Sequence, residues 1–220
     1  MLGVRRQWVA LLLVLGLLPA AAAQADIVTL DLEGQAASTN TTSTTFSSGG
    51  VTAVLDLDTG GTFQYQNISS FTSLGMPASW KSRSLFGSGD NRFVVNLGGS
   101  DVFGVSVEVG DLGIDADDVY LEVYGGQDGG GSLLGSDSGL LPDTGAVFVF
   151  TGDTLSYSGA AAIGSFVFWG VGSNNQSVYF DNITLDTTAV AVVPLPLAGW
   201  IGLGLLGGLG TLARRRRRRG

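Results

Sequence analysis

Between Asp26 and Thr188 the chain alternates apolar and polar residues with a period of two, and glycine-rich joints separate the alternating segments. This period is that of a β-strand, whose successive side chains point to opposite faces, and a helical period is hard to find. The pattern predicts about nine short strands with no helices between them. The segments are residues 28–33, 51–58, 63–65, 93–97, 103–109, 119–123, 146–150, 166–168 and 178–185.

Strands at this spacing favour an all-β fold, and we expect residues 26–188 to form an antiparallel, jelly-roll-like β-sandwich ectodomain. A domain of about 160 residues buries about 70 % of its chain surface, so it needs no disulfide to fold. The Ser/Thr-rich residues 38–48 fit either an extended loop or a weak edge strand.

The last predicted strand changes the parity of its apolar residues. Val178 and Phe180 occupy even positions, whereas Ile183 and Leu185 occupy odd ones. One register cannot bury all four, because a strand alternates faces at every residue. We therefore predict a β-bulge at residues 181–182, which restores a common inward face.

The composition excludes several classes of function. The chain contains no histidine and no cysteine, which removes Ser-His-Asp and Cys-His nucleophiles, His or Cys metal sites and thiol redox chemistry. A carboxylate pair acting on a glycosidic bond is the chemistry that remains. The three glutamates, Glu33, Glu108 and Glu122, form no compact E-x-D-x-E pattern, so we expect a protein that is not an enzyme.

The charge of the predicted ectodomain is strongly negative. All 19 carboxylates lie between Asp26 and Asp186, where the cationic side chains are Lys81, Arg83 and Arg92, and the formal charge of this part is −16. Such a surface repels nucleic acid and anionic membranes. We expect no nucleic-acid partner, and we expect divalent cations or neutral ligands to be accepted.

Residues 1–25 have the three parts of a secretory signal peptide. Arg5 and Arg6 precede an apolar stretch at residues 9–18, and Ala23-Gln24-Ala25 fits the A-x-A cleavage rule. The alternative is an uncleaved anchor, but an apolar core of about ten residues is short for a span of roughly 20. We expect signal peptidase to cut after Ala25.

Residues 189–220 also have three parts. A short proline motif leads into the uncharged residues 197–213, and an arginine cluster follows at the extreme end. As a helix, the uncharged segment is about 25 Å long, the lower limit for a transmembrane helix, and the arginines would hold its end in the cytoplasm. The motif is Val193, Pro194, Leu195 and Pro196, and the cluster is Arg214, Arg215, Arg216, Arg217, Arg218 and Arg219.

This ending resembles the PEP-CTERM class of bacterial sorting signals in its VPLPA-type form. Leu195 replaces the glutamate of the Pro-Glu-Pro form, and Leu197 stands between Pro196 and Ala198. The resemblance implies a substrate of exosortase, held transiently in the inner membrane and then released to the cell envelope, surface or extracellular space of a bacterium that makes exopolysaccharide. The alternative is an ordinary anchor with a stop-transfer arginine cluster.

The resemblance implies a non-catalytic cell-surface or extracellular-matrix protein. The alternative function is a carbohydrate-binding, lectin-like module that holds exopolysaccharide. Residues 178–183 resemble the closing strand of PEP-CTERM ectodomains and sugar-binding jelly rolls, where an aspartate serves a structural calcium with an acidic residue near the first strand. Asp181 and Glu33 stand at the matching positions of this chain.

Four aspartates crowd one turn between two predicted strands. Alternate acidic residues on a turn can supply several of the six to eight oxygen ligands that calcium takes. The alternative is a solvated acidic loop. The residues are Asp111, Asp115, Asp117 and Asp118.

Aromatic residues on the outer face of a strand are the last candidate site. Val119, Leu121 and Val123 should face inward, so the residues between them and after them face outward. Aromatic side chains beside a carboxylate often hold neutral sugars, although cross-strand pairing that stabilises the sheet is the alternative. The outward residues are Tyr120, Glu122 and Tyr124, and Trp80 is a second exposed candidate in a predicted loop.

Overall fold

A computed structural model describes residues 26–87, 91–113, 115–145, 149–172 and 178–188, within a compact unit that spans Gln24–Val190. This part of the chain contains twelve strands and two short 3-10 helices, Ser69–Leu74 and Ala78–Trp80. The strands are β1 Ile27–Thr29, β2 Ser43–Ser48, β3 Val51–Leu57, β4 Gln64–Asn67, β5 Arg83–Gly87, β6 Phe93–Gly99, β7 Gly104–Asp111, β8 Asp117–Tyr124, β9 Leu133–Leu141, β10 Thr151–Ser158, β11 Ser165–Gly172 and β12 Val178–Asp186.

The strands form two sheets. The first has the order β10-β7-β12-β5-β4, with β1 also paired to β12, and the second has the order β2-β3-β6-β11-β8-β9. The paired strands within each sheet run antiparallel. The prediction of an all-β chain with two antiparallel sheets, like a β-sandwich, is confirmed.

The core contains aromatic and aliphatic side chains from strands of both sheets. Phe93 and Phe168 of the second sheet stack at 5.3 Å between ring centroids, and Phe180 of the first sheet meets Phe168 edge-on at 4.9 Å. All three are fully buried. Burial of each such side chain contributes about 1.5–3 kcal/mol to stability, so this cluster ties the two sheets together.

The predicted bulge in the last strand is confirmed. The register between β12 and β7 shifts between Asp181 and Thr184, and Asn182 has a φ of +43°. Asparagine tolerates this left-handed conformation better than most residues. Ile183 and Leu185 are consequently buried on the same side as the residues before the bulge.

Three strands were absent from the prediction. β9 and β10 each bury a single residue, Leu141 and Leu155, so they lack the apolar alternation that marks a half-buried strand. β5 lies in a region whose Gly, Pro and Ser content indicated a loop. Of residues 38–48, for which a loop and an edge strand were the alternatives, residues 43–48 form β2, the edge strand of the second sheet, whereas residues 38–42 belong to no named strand.

The prediction of a strand at residues 146–150 was only close. Residues 146–148 lie outside the described residues, and Val149 and Phe150 precede β10, which begins at Thr151.

The two outer strands β9 and β10 belong to different sheets and are joined by a hydrogen bond of 2.8 Å from the Ser156 backbone N–H to Asp137 Oδ2.

The expectation that Trp80 is an exposed binding residue is wrong. Trp80 is only 2 % exposed and packs with Ile68, Met76 and Phe150 in a small second cluster. Ile68 and Met76 flank the first 3-10 helix, whereas Phe150 comes from the segment before β10 and meets the indole edge to face. Trp80 is therefore a packing residue.

The segments predicted to be a signal peptide and a sorting tail, residues 1–25 and 189–220, lie outside the described residues. In the part of the chain that the structure does describe, no helix has the length and apolar character needed to span a membrane.

Candidate functional site

A row of side chains crosses the outer face of the second sheet. In the strand register, Trp169 of β11 lies opposite Tyr120 of β8, and Tyr120 lies opposite Ser138 of β9. The rings of Tyr120 and Trp169 stack with centroids 5.0 Å apart and planes 18° from parallel. Both side chains are half-buried, so the edges of the two stacked rings and the parts of their faces that are not covered remain accessible to a ligand.

Arg92, Glu122 and Tyr124 form a connected group of polar contacts beside this aromatic pair. The guanidinium carbon of Arg92 lies 4.3 Å from the centroid of the Trp169 ring, and Arg92 Nη2 is 3.1 Å from Glu122 Oε2. Tyr124 Oη donates a hydrogen bond of 2.7 Å to the same carboxylate oxygen. This hydrogen bond raises the pKa of the Tyr124 phenol, since loss of the proton would place two negative groups together.

A shallow cleft of about 380 Å³ opens beside the aromatic pair. Asp137 is fixed at its edge, because its carboxylate accepts hydrogen bonds of 2.9 Å and 2.8 Å from the backbone N–H groups of Ser138 and Ser156. The cleft therefore offers an aromatic wall, serine hydroxyls and oriented carboxylates. Its lining residues are Tyr120, Leu121, Glu122, Ser136, Asp137, Ser138 and Trp169.

Sequence reasoning placed Tyr120, Glu122 and Tyr124 on the outer face, and the structure brings them together there. It missed Trp169 and Arg92. The outward orientation of Trp169 could have been predicted from the sequence, because Trp169 follows the inward-facing Phe166 and Phe168 at the opposite parity. The contact between Trp169 and Arg92 could not have been predicted, since it depends on which strands are neighbours in the sheet.

The acidic turn is partly buried. Asp111 and Asp117 are 2 % and 1 % exposed, and their carboxyl groups are close enough to affect each other's pKa. Asp115 is half-buried beside them, whereas Asp118 is exposed to solvent. Burial first, and then the charge of Asp111, raise the pKa of Asp117 to about 7. Asp118 points away from the group, so three of the four predicted residues come together.

The second predicted acidic pair lies in another cleft, of about 340 Å³, which both Glu33 and Asp181 line. Ser82 and Arg83 donate their backbone N–H groups to Glu33 Oε1 at 2.9 Å, and Ser82 Oγ donates to Glu33 Oε2 at 2.6 Å. Burial alone would raise the pKa of Glu33, but these hydrogen bonds and the charge of Lys81 hold it below its ordinary value.

Asp181 differs from Glu33 because one of its oxygens has no partner. The residue is 5 % exposed, Oδ1 accepts the Asn182 backbone N–H at 2.7 Å, and Oδ2 is buried without a hydrogen bond. Burial raises the pKa of Asp181 to about 8. The lone oxygen fits a cation in the cleft, and Asp181 and Glu33 are the residues that would hold it.

Neither acidic group is a complete metal site by itself. Among the residues with described positions, no group of three or more acidic side chains has the arrangement of a metal-binding cluster. Calcium at either place would need further oxygens from water or from the backbone.

The chain resembles solved structures only distantly. No family model matches it, and no curated protein matches its sequence. A DUF4465 family protein from Bacteroides caccae is 14 % identical with a TM-score of 0.44, and the alignment covers 74 % of this chain and 100 % of that one. The K2 cleaved adhesin domain of Lys-gingipain is 13 % identical with a TM-score of 0.41, covering 72 % and 97 %.

A family 29 carbohydrate-binding module complexed with mannohexaose is 9 % identical with a TM-score of 0.32, covering 76 % of this chain and 95 % of that one. At TM-scores below 0.5 these similarities do not indicate a ligand.

Proposed function

We propose that the protein is an exported, non-catalytic surface or matrix protein whose β-sandwich binds a neutral glycan on the outer face of the second sheet. The observation that carries this proposal is the stacked Tyr120–Trp169 pair beside a cleft lined by Glu122 and Asp137. Aromatic faces contact the C–H side of a sugar ring, while carboxylates and serine hydroxyls accept and donate hydrogen bonds to its hydroxyl groups.

The electrostatics favour a neutral ligand over an anionic one. Residues 26–188 carry 19 carboxylates and three cationic side chains, so a uronic-acid or sulfated polymer is repelled at long range. Arg92, the cation nearest the aromatic pair, already contacts Glu122 and the Trp169 ring. It supports the binding surface and is not available as an anion receptor.

A non-catalytic role fits the state of the two carboxylates. Glu122 is held by Arg92 and Tyr124, and Asp137 is held by two backbone N–H groups. Both groups are oriented as hydrogen-bond acceptors. A glycosidase needs one carboxyl group that delivers a proton to the leaving oxygen.

The test is a glycan array probed with residues 26–188, followed by titration against the best neutral polysaccharide. Loss of one aromatic contact costs about 0.5–1.5 kcal/mol beyond the buried area, so Trp169→Ala and Tyr120→Ala should each weaken binding about twofold to tenfold or more. Phe86→Ala is the matched control, because Phe86 also contacts a partner ring, Tyr179 at 5.3 Å, but on the first sheet.

The proposal fails if no neutral glycan binds, or if the Trp169 and Tyr120 variants bind as well as the unchanged protein. Equal loss of binding in the Phe86 variant would indicate a general effect on folding and would also count against this site.

We further propose that residues 189–220 form a sorting tail that exosortase processes, with residues 197–213 as its transmembrane helix. The support is the order of the proline motif, the uncharged segment and Arg214–Arg219 in the sequence. Intact mass spectrometry of envelope and medium fractions should find a mature chain that begins at Asp26 and lacks the arginines. Recovery of the bulk protein with the arginines attached would contradict the tail assignment.

A further inference from the structure

In the described part of the chain, β2 is a long sheet edge without a cover. It has six residues and pairs with β3 alone. The other edges are protected: β9 and β10 lie side by side and carry Asp137 and Asp153, β1 has only three residues, and β4 is covered by residues 37–41, which bridge to Phe63 and Tyr65. An edge strand with no charge, proline or bulge, such as β2, is open to pairing with another strand.

The backbone of β2 directs alternate residues toward this open edge. The turn between β2 and β3 is Gly49–Gly50, and both glycines have a positive φ. In a two-residue hairpin of this kind the two flanking residues exchange hydrogen bonds, and bonded pairs recur at every second position. Ser43, Thr45 and Ser47 fall between the bonded pairs, so their N–H and C=O groups point away from β3.

The edge is also neutral in a strongly negative protein. Residues 34–55 contain no charged side chain, whereas residues 26–188 carry a formal charge of −16. Two copies of the protein therefore repel each other over most of their surfaces, and the repulsion is weakest where one neutral segment meets another. This charge distribution favours a second copy of the same chain at the β2 edge.

We propose that β2 pairs with β2 of a second copy, antiparallel about a two-fold axis at Thr45. In this register Thr45 lies opposite the partner's Thr45, and Ser43 lies opposite the partner's Ser47. Each such pair exchanges two backbone hydrogen bonds. On the inner face Phe46, which is 8 % exposed, lies opposite the partner's Thr44 and extends the core. A two-fold contact of this kind closes with two copies.

The dimer joins the second sheets of the two copies into one continuous sheet. Opposite residues of paired strands project to the same face, so the two stacked Tyr120–Trp169 pairs lie on the same side of the dimer. Two linked sites hold a polymer more tightly than one site does. The pairing uses other residues than the glycan-binding face, so either proposal can fail without the other.

Sedimentation equilibrium of residues 26–188, which contain their own hydrophobic core, measures the pairing. The mass should rise from monomer to dimer with protein concentration. The Kd should fall between about 0.15 M and about 0.5 M sodium chloride, because salt screens the repulsion between copies and an uncharged contact loses nothing.

Thr45→Pro removes an N–H group that faces the open edge and leaves the hydrogen bonds to β3 in place, a position that edge strands tolerate. It deletes two hydrogen bonds of the dimer and should raise the Kd at least about fivefold. Thr45→Val is the matched control, because it keeps the N–H group and the branched shape, and its Kd should stay within about twofold.

Charges at position 45 test the two-fold register. Thr45→Lys and Thr45→Glu should each raise the Kd about twofold to fivefold, since like charges then lie directly opposite each other. An equimolar mixture of the two variants should recover the dimer, because opposite charges then meet. The same two changes at Thr154, which is exposed on β10, should shift the Kd by less than about twofold and give no recovery on mixing.

A monomer at both salt concentrations and at protein concentrations up to about 1 mM would overturn the proposal. A dimer that Thr45→Pro leaves intact would place the contact on another surface and overturn it as well. If circular dichroism shows that Thr45→Pro does not fold, the charged variants decide. A mixture of Thr45→Lys and Thr45→Glu that dimerises no more tightly than either variant alone would contradict the pairing at Thr45.

Discussion

Insertion of an alanine between Asn182 and Ile183 should prevent residues 26–188 from folding. The bulge gives β12 one extra residue, which brings Ile183 and Leu185, both fully buried, onto the inner face. With a second extra residue, a strand that keeps its pairing and its one-residue bulge up to Asn182 turns Ile183 and Leu185 outward and turns Thr184 and Asp186 inward.

The magnitude follows from these four side chains. Exposure of each aliphatic side chain costs about 1.5–3 kcal/mol, and burial of each polar one without a partner costs about 1–3 kcal/mol. Together this is about 5–12 kcal/mol, compared with a total stability of about 5–15 kcal/mol for a typical domain. The insertion should leave residues 26–188 largely unfolded at 25 °C.

Asn182→Gly is the matched control, because it keeps the residue count and glycine adopts a positive φ readily. It loses the hydrogen bond of 2.8 Å from Asn182 Nδ2 to Glu108 Oε2, worth about 0.5–1.5 kcal/mol. Its melting temperature should fall by no more than about 6 °C for a domain of this size.

Circular dichroism during thermal and urea unfolding measures both variants. An insertion variant that melts within the range of the Asn182→Gly control would refute the claim that the bulge sets the inward face of the last strand.

Three further variants test the core and the turns. Phe180→Ala should lower stability by about 3–5 kcal/mol in urea unfolding, because it empties the centre of the aromatic cluster. Burial raises the pKa of Tyr65 to about 12; the unfolded chain loses this proton first, so stability falls as pH rises from about 10 to 12. Tyr65→Phe should remove that part of the alkaline loss, as seen in melts at pH 9 and pH 11. Gly172→Ala should cost about 1–3 kcal/mol through overpacking against Asp117, and an unchanged melting temperature would contradict the close approach.

The inner faces of the sandwich were predictable because apolar and polar residues alternate in step with buried and exposed positions. β3, β8 and β12 bury the residues that the period of two selected, and the parity change in β12 located the bulge. In each of these strands the residues that are apolar at alternate positions of the sequence are the residues that are buried in the sheet.

The edges and the sites were less predictable. β9 and β10 each bury a single residue, so no alternation of apolar and polar residues distinguishes them from loops. Trp80 stands among Gly, Pro and Ser residues, yet non-local packing buries it. The stacking of Trp169 on Tyr120 and the meeting of Asp111 with Asp117 depend on strand order, which no local pattern specifies.

The glycan-binding claim is tested most directly by the fluorescence of Trp169. Trp80 and Trp169 are the two tryptophans between residues 26 and 188. Trp80→Phe leaves Trp169 as the one indole there and keeps an aromatic ring against Phe150, which Trp80 meets at 5.1 Å. Titration with the neutral glycan selected by the array should change the Trp169 emission saturably, with the Kd measured for binding. Binding of that glycan without any change in Trp169 emission would contradict the account.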